Sequence, residues 1–398
     1  MLDLFSDEVR RNPYPLYDEL RASSPLLRVP SPFDAWMVFD YENVKRVLTD
    51  NETFSSRVPA PRNWFIFFDP PAHTKLRALI SRAFSPRMIT NLDSQVRELS
   101  RDLLNKTEGS REIDLAAQYS VPLPMMVIAG MIGIESADWP RYRRWSDVIL
   151  RLSYSRSGGE EASVALREFS SVNAEMSDYL QSLMARRRGS KQEDLLTSLA
   201  EAEIDGERLS HDEILGFFQL LIVAGQETTS DLINNLVLCL LENPIRLARL
   251  RVSPDLIPSA VEEALRFCSP LQWMMRTPRH DVEIHGTLVP AGALLLPVIG
   301  SANRDPRRFH NPHHFEIARR PNPHLAFGHG IHFCLGAALS RMEARVALTD
   351  LLTRFKSFEL ATDAPWQPRK ALQVYGPASL PLRVETSTGG QRRAASRG

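Results

Sequence analysis

Cysteine is scarce in this chain of 398 residues: Cys239, Cys268 and Cys334 are scattered, with no C-x-x-C among them. That excludes a disulfide framework and a fused iron–sulfur domain, which needs four ligands, and it indicates a reducing compartment. Neither charge is in excess, since Lys+Arg and Asp+Glu are both 48. Without net charge there is no global field to recruit nucleic acid or an anionic membrane, so the partner is small and apolar, or local in its charge. Long hydrophobic runs are also missing. The longest, at 121–134 and 214–224, fall short of a membrane span, and residues 1–11 lack the apolar core of a signal peptide. These absences together predict a soluble, cytoplasmic protein.

What the chain does contain is organised around Phe327-Gly328-His329-Gly330-Ile331-His332-Phe333-Cys334-Leu335-Gly336. Leu335, Leu339, Met342, Val346 and Thr349 recur at spacings of three and four, so a helix follows with Cys334 at its N-terminus. Unpaired N–H groups and the positive end of a helix dipole favour an anion there, and the thiolate is the metal-ligating form of cysteine. Gly328 and Gly330 permit backbone angles closed to other residues, which lets amides turn toward the sulfur. Zinc bound by His329, His332 and Cys334 is a competing reading, but these lie close together without a second cluster at finger spacing. A plain buried cysteine in a tight turn leaves both glycines and His332 unexplained.

In chain order, short amphipathic helices at 14–20 and 41–48 flank a strand at 36–39, an α+β opening. The stretch 57–63 holds two prolines and runs into the apolar cluster Trp64-Phe65-Ile66-Phe67-Phe68, a loop with enough apolar surface to cover something. Pro70 and Pro71 precede a helix that sets His73 and Arg77 one turn apart, a pairing that suits a carboxylate. Residues 91–199 are helical in pattern, with breaks at Pro122, Pro124, Pro140 and 155–159 and a mobile connection near 157–159; the basic run 186–188 is a solvated helix end. The capping box Ser210-x-x-Glu213 opens an apolar helix that continues to Asn243, where Pro244 stops it. Some thirty residues make it roughly 45–50 Å long at ~1.5 Å per residue. A helix crossing the whole molecule argues for one domain, taken as 1–385 with a disordered tail at 386–398. At its centre Ala224-Gly225-Gln226-Glu227-Thr228-Thr229 weakens helical propensity and predicts a kink or widening. In isolation Thr228 could simply bond back to a helix carbonyl. A further helix from Pro258 carries Glu263 and Arg266 on one face, residues 276–299 read as β, His310, His313 and His314 as a solvated cluster, and the segments 372–376 and 380–382 as closing strands.

The loop meets every fixed position of Phe-Gly-x-Gly-x-His-x-Cys-x-Gly, and with the motifs around it the chain resembles the cytochrome P-450 family over nearly its whole length. The resemblance implies a mainly α fold with small β-sheets (α+β) and a haem b (iron protoporphyrin IX) between the long central helix and the cysteine loop. It implies Cys334 as the iron ligand, His73, Arg77, Arg276 and His332 as partners of the haem propionates, and Phe327 and Ala224 as further haem contacts. Glu227 and Thr228 would guide protons to dioxygen, and Glu263 and Arg266 would form a buried ion pair joined by Arg319. The activity implied is monooxygenation of an apolar small molecule such as a terpenoid, steroid, fatty acid or polyketide, by hydroxylation or epoxidation. Substrate contacts would come from Trp64, Phe65, Phe67, Leu220, Val223, Gln272, Met274 and Val374, an aromatic and Met-rich set poor in charge. With no flavin fingerprint and no cysteine cluster, a separate ferredoxin and ferredoxin reductase would supply electrons to a monomer, docking an acidic carrier at Lys75, Arg82, Arg341 and Arg345. Two alternatives stand beside this: a peroxide-using or rearranging haem-thiolate enzyme, which the intact Glu227-Thr228 pair argues against, and a non-enzymatic haem sensor or carrier, in which that pair has no role.

Overall fold

The computed structural model describes residues 4–30, 34–58, 64–84, 86–154, 160–187, 194–204 and 206–387. The proline-bearing stretch at 59–63, the helix break at 155–159 with the connection expected to be mobile near 157–159, Arg188 and the tail from 388 lie outside those residues.

The architecture is built on the long helix His211–Leu241, 31 residues without a break. Its start is the reciprocal cap read from the sequence: Ser210 Oγ accepts from the Glu213 N–H at 3.3 Å, and Glu213 accepts from the Ser210 N–H at 2.8 Å. Because nearly every turn is buried, other helices surround it; Pro122–Ile132, Trp139–Tyr154, Ile257–Phe267 and Ala337–Arg354 all pack on it. The widening expected at 224–229 is not seen, and the α pattern continues through it. Gly225 instead serves helix approach, since an added Cβ would stand 3.0 Å from Ile128 Cδ1.

The middle of the chain folds as Pro86–Asn105, Pro122–Ile132, Trp139–Tyr154, Glu160–Arg187 and Leu195–Glu201. Pro122 and Pro140 sit in first turns, where no N–H partner is needed, so they begin helices as much as separate them. One departure from the helical reading is the strand Glu112–Asp114, which pairs antiparallel with Pro381–Thr386 in the register Ile113↔Leu382, beside Phe355–Leu360. Three residues carry too little alternation to stand out, and their partner is distant in the chain. A second sheet orders Leu26–Val29, Ala35–Val38 and Leu294–Pro297, the last pair parallel. The expected strand at 372–376 reduces to a bridge between Leu271 and Val374.

One apolar cluster draws residues from Tyr14 to Val384, and a smaller one lies around Tyr41, Phe54 and Phe309. Cys239 and Cys268, read as scattered, meet in space: their sulfurs are 3.4 Å apart, both free and buried. Glu343 is buried with one carboxylate oxygen unpartnered, and burial pushes its carboxyl well above the usual range. Folding thus favours its protonated form, a stability fully present below the unfolded value near ~4.3 and lost as pH rises toward the folded one. Glu343→Gln should raise the melting temperature more at about pH 8 than at about pH 5; an equal change at both would contradict this.

Candidate functional site

The cysteine loop takes the backbone form its glycines anticipated. Gly328 and Gly330 have φ of +71° and +73°, and Gly330 lies so close to the helix Tyr41–Thr49 that an added Cβ would sit 3.1 Å from Leu48 O. The Cys334 N–H donates to Phe327 O at 2.9 Å, closing the loop on itself. The following helix begins at Ala337 with Gly336 as its cap, two residues later than the periodicity implied. Cys334 nevertheless remains at its N-terminal end. Cys334 as a residue has open surface, while its thiol is surrounded by protein; burial pushes its pKa up, against the Gly336 amide and the charges of Arg77 and Arg341. His329 Nδ1 is bonded to Thr49 Oγ1 at 3.0 Å and His332 Nε2 to Ser56 Oγ at 2.9 Å. The two imidazoles are thus engaged with different neighbours, and among the described residues no three His, Cys, Asp or Glu side chains gather as a metal site.

Beside the loop is a nest of buried donors. His73, on the helix Ala72–Ala83, has its ring 4.1 Å from that of His332. Both nitrogens of His73 and Nδ1 of His332 are buried and without partners. Burial first, then neighbouring cations, holds His73 below its ordinary pKa, and the same causes bring His332 to about 3. Arg276 is buried too, spends one N–H on Met275 O, and is lowered to about 10, mainly by burial. Half-buried Arg77 donates to Phe333 O at 2.7 Å. Donors left this unsatisfied in the interior need an acceptor, and the carboxylates of a haem are of the right chemistry. Sequence reading missed the support: Asp69, buried, accepts from Ser55 Oγ, the Ser56 N–H and Arg279, and so fixes Ser56 against His332. No local pattern marks it, because its partners come from two other parts of the chain, 55–56 and Arg279.

The long helix contributes Ala224, which is exposed although Ile222, Gln226 and Glu227 around it are buried. An open residue on an otherwise buried stretch of helix leaves room for a bound group beside it. Thr228 Oγ1 donates to Ala224 O at 2.8 Å, so the back-bond open to it in isolation is made, and its lone pairs are left to accept. Glu227 is buried beside it. Thr229 Oγ1 donates to Ser340 Oγ at 3.1 Å, tying this helix to the one that follows Cys334.

Glu263 and Arg266 form the ion pair expected, with both side chains fully buried, and Arg319 Nε joins Glu263 at 3.0 Å. Among the expected substrate contacts, Trp64 and Phe65 are core residues. Trp64 Nε1 donates to Gln219 Oε1 at 3.3 Å and stacks on Phe67, while Phe65 packs on His73 and Phe217. Leu220 is buried, and Val223, Phe67 and Met274 are half-buried. Gln272 and Val374 line a small cleft with Tyr17 and Met37. All four expected docking cations are engaged: Lys75 pairs with Glu207, Arg82 donates to Glu203 O, Arg341 pairs with Glu262, and Arg345 Nε donates to Arg341 O at 3.2 Å. No helix of the described residues is long and apolar enough to cross a membrane.

The profile of the family described as Cytochrome P450 matches residues 255–379, the part of the chain with the ion pair and the cysteine loop. Cytochrome P450 109 of Bacillus spizizenii is 38% identical over 385 residues, covering 96% of this chain and 95% of that protein. Among solved structures, cytochrome P450 CYP109Q5 from Chondromyces apiculatus superposes with a TM-score of 0.89 at 35% identity, covering 97% and 98% of the two chains. CYP109E1 from Bacillus megaterium, in complex with corticosterone, gives 0.86 at 35% identity over 94% and 99%. With identity at this level along almost its full length, the chain belongs to the cytochrome P450 family and is a haem b-binding oxidoreductase, a monooxygenase.

Proposed function

We propose that Cys334 ligates the haem iron, that His73, Arg77, Arg276 and His332 hold the haem carboxylates, and that the enzyme oxygenates an apolar small molecule of steroid, terpenoid, fatty acid or polyketide type. The observation that carries the reading is the contact at 4.1 Å between two imidazoles with three orphaned nitrogens, beside a buried guanidinium and the loop of the free Cys334. The haem, when bound, supplies the activation of dioxygen and transfer of one of its atoms to a C–H or C=C bond. The chain's own residues do the rest. Phe327 and Ala224 would help hold the haem, the back-bonded Thr228 hydroxyl is left to accept a hydrogen bond, and Glu227 would bring protons to it. Phe67, Val223 and Met274 offer apolar surface to the substrate, with Leu220, Gln272 and Val374 at the margin and Trp64 and Phe65 supporting from behind. The CYP109E1 relative was crystallised with corticosterone, which favours a substrate of steroid shape here. Electrons come from a separate ferredoxin and reductase to a monomeric, single-domain enzyme of the cytoplasm, acting in secondary metabolism.

A titration of the holoenzyme with steroids, terpenoids, fatty acids and polyketides, followed by the haem spin-state shift, tests the substrate class. A saturable shift with corticosterone or another apolar member is expected; silence across all four would sink the reading. Thr228→Ala should lower product formed per reductant consumed by about a hundred-fold, the lower end of what one proton-handling group contributes, with reductant oxidation maintained. Coupled turnover at the original rate would refute its role.

A further inference from the structure

The mechanism leaves one buried acid on the long helix unused. Asp231 lies four residues beyond Glu227, on the same face, and is fully buried. Its Oδ1 accepts from Arg369 Nε at 3.0 Å, while Oδ2 is buried without a partner. The turn that carries Arg369 is pressed onto the carboxyl: a Cβ added to Gly376 would stand 2.5 Å from Asp231 Cγ, and Arg369 N–H donates to Gly376 O. Arg369 Nη2 also reaches Ser230 Oγ at 3.3 Å, and that hydroxyl donates to Glu227 O at 2.9 Å. The turn is anchored outward, where Arg10 donates to the carbonyls of Arg369 and Ala371.

An ion pair built only for stability would satisfy both carboxylate oxygens, because an unpaired one in the interior is costly. Here one oxygen is left free, a second acid sits one turn away, and the single cation holds only one edge. Two carboxyls so placed cannot both ionise cheaply, whereas one proton shared between them removes the conflict. We propose that Asp231 is the reservoir that reloads Glu227 with protons during turnover, an inference that rests on Glu227 acting as the relay. A proton leaves Asp231 Oδ2 for the Glu227 carboxylate, and Asp231 regains one from solvent on the Arg369 side. Only O–H bonds are made and broken, and no electrons move. Asp231 acts through Glu227 and touches neither substrate nor haem.

The charged groups acting on Asp231 are Arg369, from the packed turn, and Glu227, from its own helix. Burial, first, and Glu227 raise its carboxyl to about 7 against the lowering effect of Arg369. The donor is the protonated form, so coupled turnover should fall as pH rises through about 7.

The test compares product per reductant against pH, with KM, for wild type, Asp231→Asn, Arg369→Gln and Glu227→Gln holoenzymes. It adds an infrared titration of buried carboxyl C=O bands, which does not depend on turnover. Asp231→Asn should lower coupled kcat by up to about a hundred-fold, the low end for a proton-transfer group because it acts through Glu227, with KM unchanged, abolish the alkaline limb, and remove a C=O band that titrates near neutrality in wild type. Arg369→Gln should move the limb and the band to higher pH, since the cation holding the carboxyl down is gone; this variant also decides the matter should Asp231→Asn fail to fold. If Glu227→Gln is impaired while both other variants keep the wild-type pH profile, Asp231 is structural and the proposal falls. If Glu227→Gln itself keeps wild-type coupling, the relay reading fails and takes the reservoir with it.

Discussion

Replacing Cys334 by serine should abolish the strongly red-shifted Soret band of the reduced, CO-bound holoprotein. Monooxygenase turnover should fall by roughly three orders of magnitude, about 4 kcal/mol of barrier at 1.36 kcal/mol per decade. The thiolate donates electron density that favours O–O cleavage, and a serine hydroxyl, hardly ionised and less polarisable, does not replace it. The loop itself should survive. Its closure is a main-chain bond from Cys334 N–H to Phe327 O, and its turns depend on the positive φ of Gly328 and Gly330, none of which uses the sulfur. Far-UV circular dichroism should therefore match wild type. A red-shifted band in Cys334→Ser, or its lack in the wild-type protein, would overturn the assignment of the ligand.

The second large effect concerns scaffold. Glu263 is fully buried and accepts from Arg266 twice at 2.8 Å, from Arg319, from Asn322 and from the Glu316 N–H. Arg266 is equally buried, its remaining donors going to the carbonyls of Asn303, Pro312 and His314. Glu263→Ala therefore strands a buried guanidinium, a change that destabilises by roughly 3–5 kcal/mol. Because the held carbonyls lie in the segment leading to the cysteine loop, haem retention should fall with stability. Urea unfolding monitored by fluorescence and by haem absorbance checks both, and a loss below about 1 kcal/mol, the range of an exposed pair, would show that the cluster is dispensable.

The residues that sequence reading located share a property: their chemistry is local. Ser210 and Glu213 cap the same helix end, Glu263 and Arg266 lie one turn apart, His73 and Arg77 likewise, and the glycines around Cys334 need only their own backbone angles. The strand Glu112–Asp114 escaped because its pairing partner lies at the far end of the chain.

By itself, the sequence determined the cysteine loop, the long helix and its acid–alcohol pair, and through these the family. Only the tertiary structure decided which donors converge. It brought His73 against His332, set Ser56 and Asp69 behind them, put Cys239 beside Cys268, and pressed the Gly376 backbone onto Asp231. The physical reason is that a buried polar atom must find its partner wherever packing puts one, and packing joins segments that no spacing rule connects.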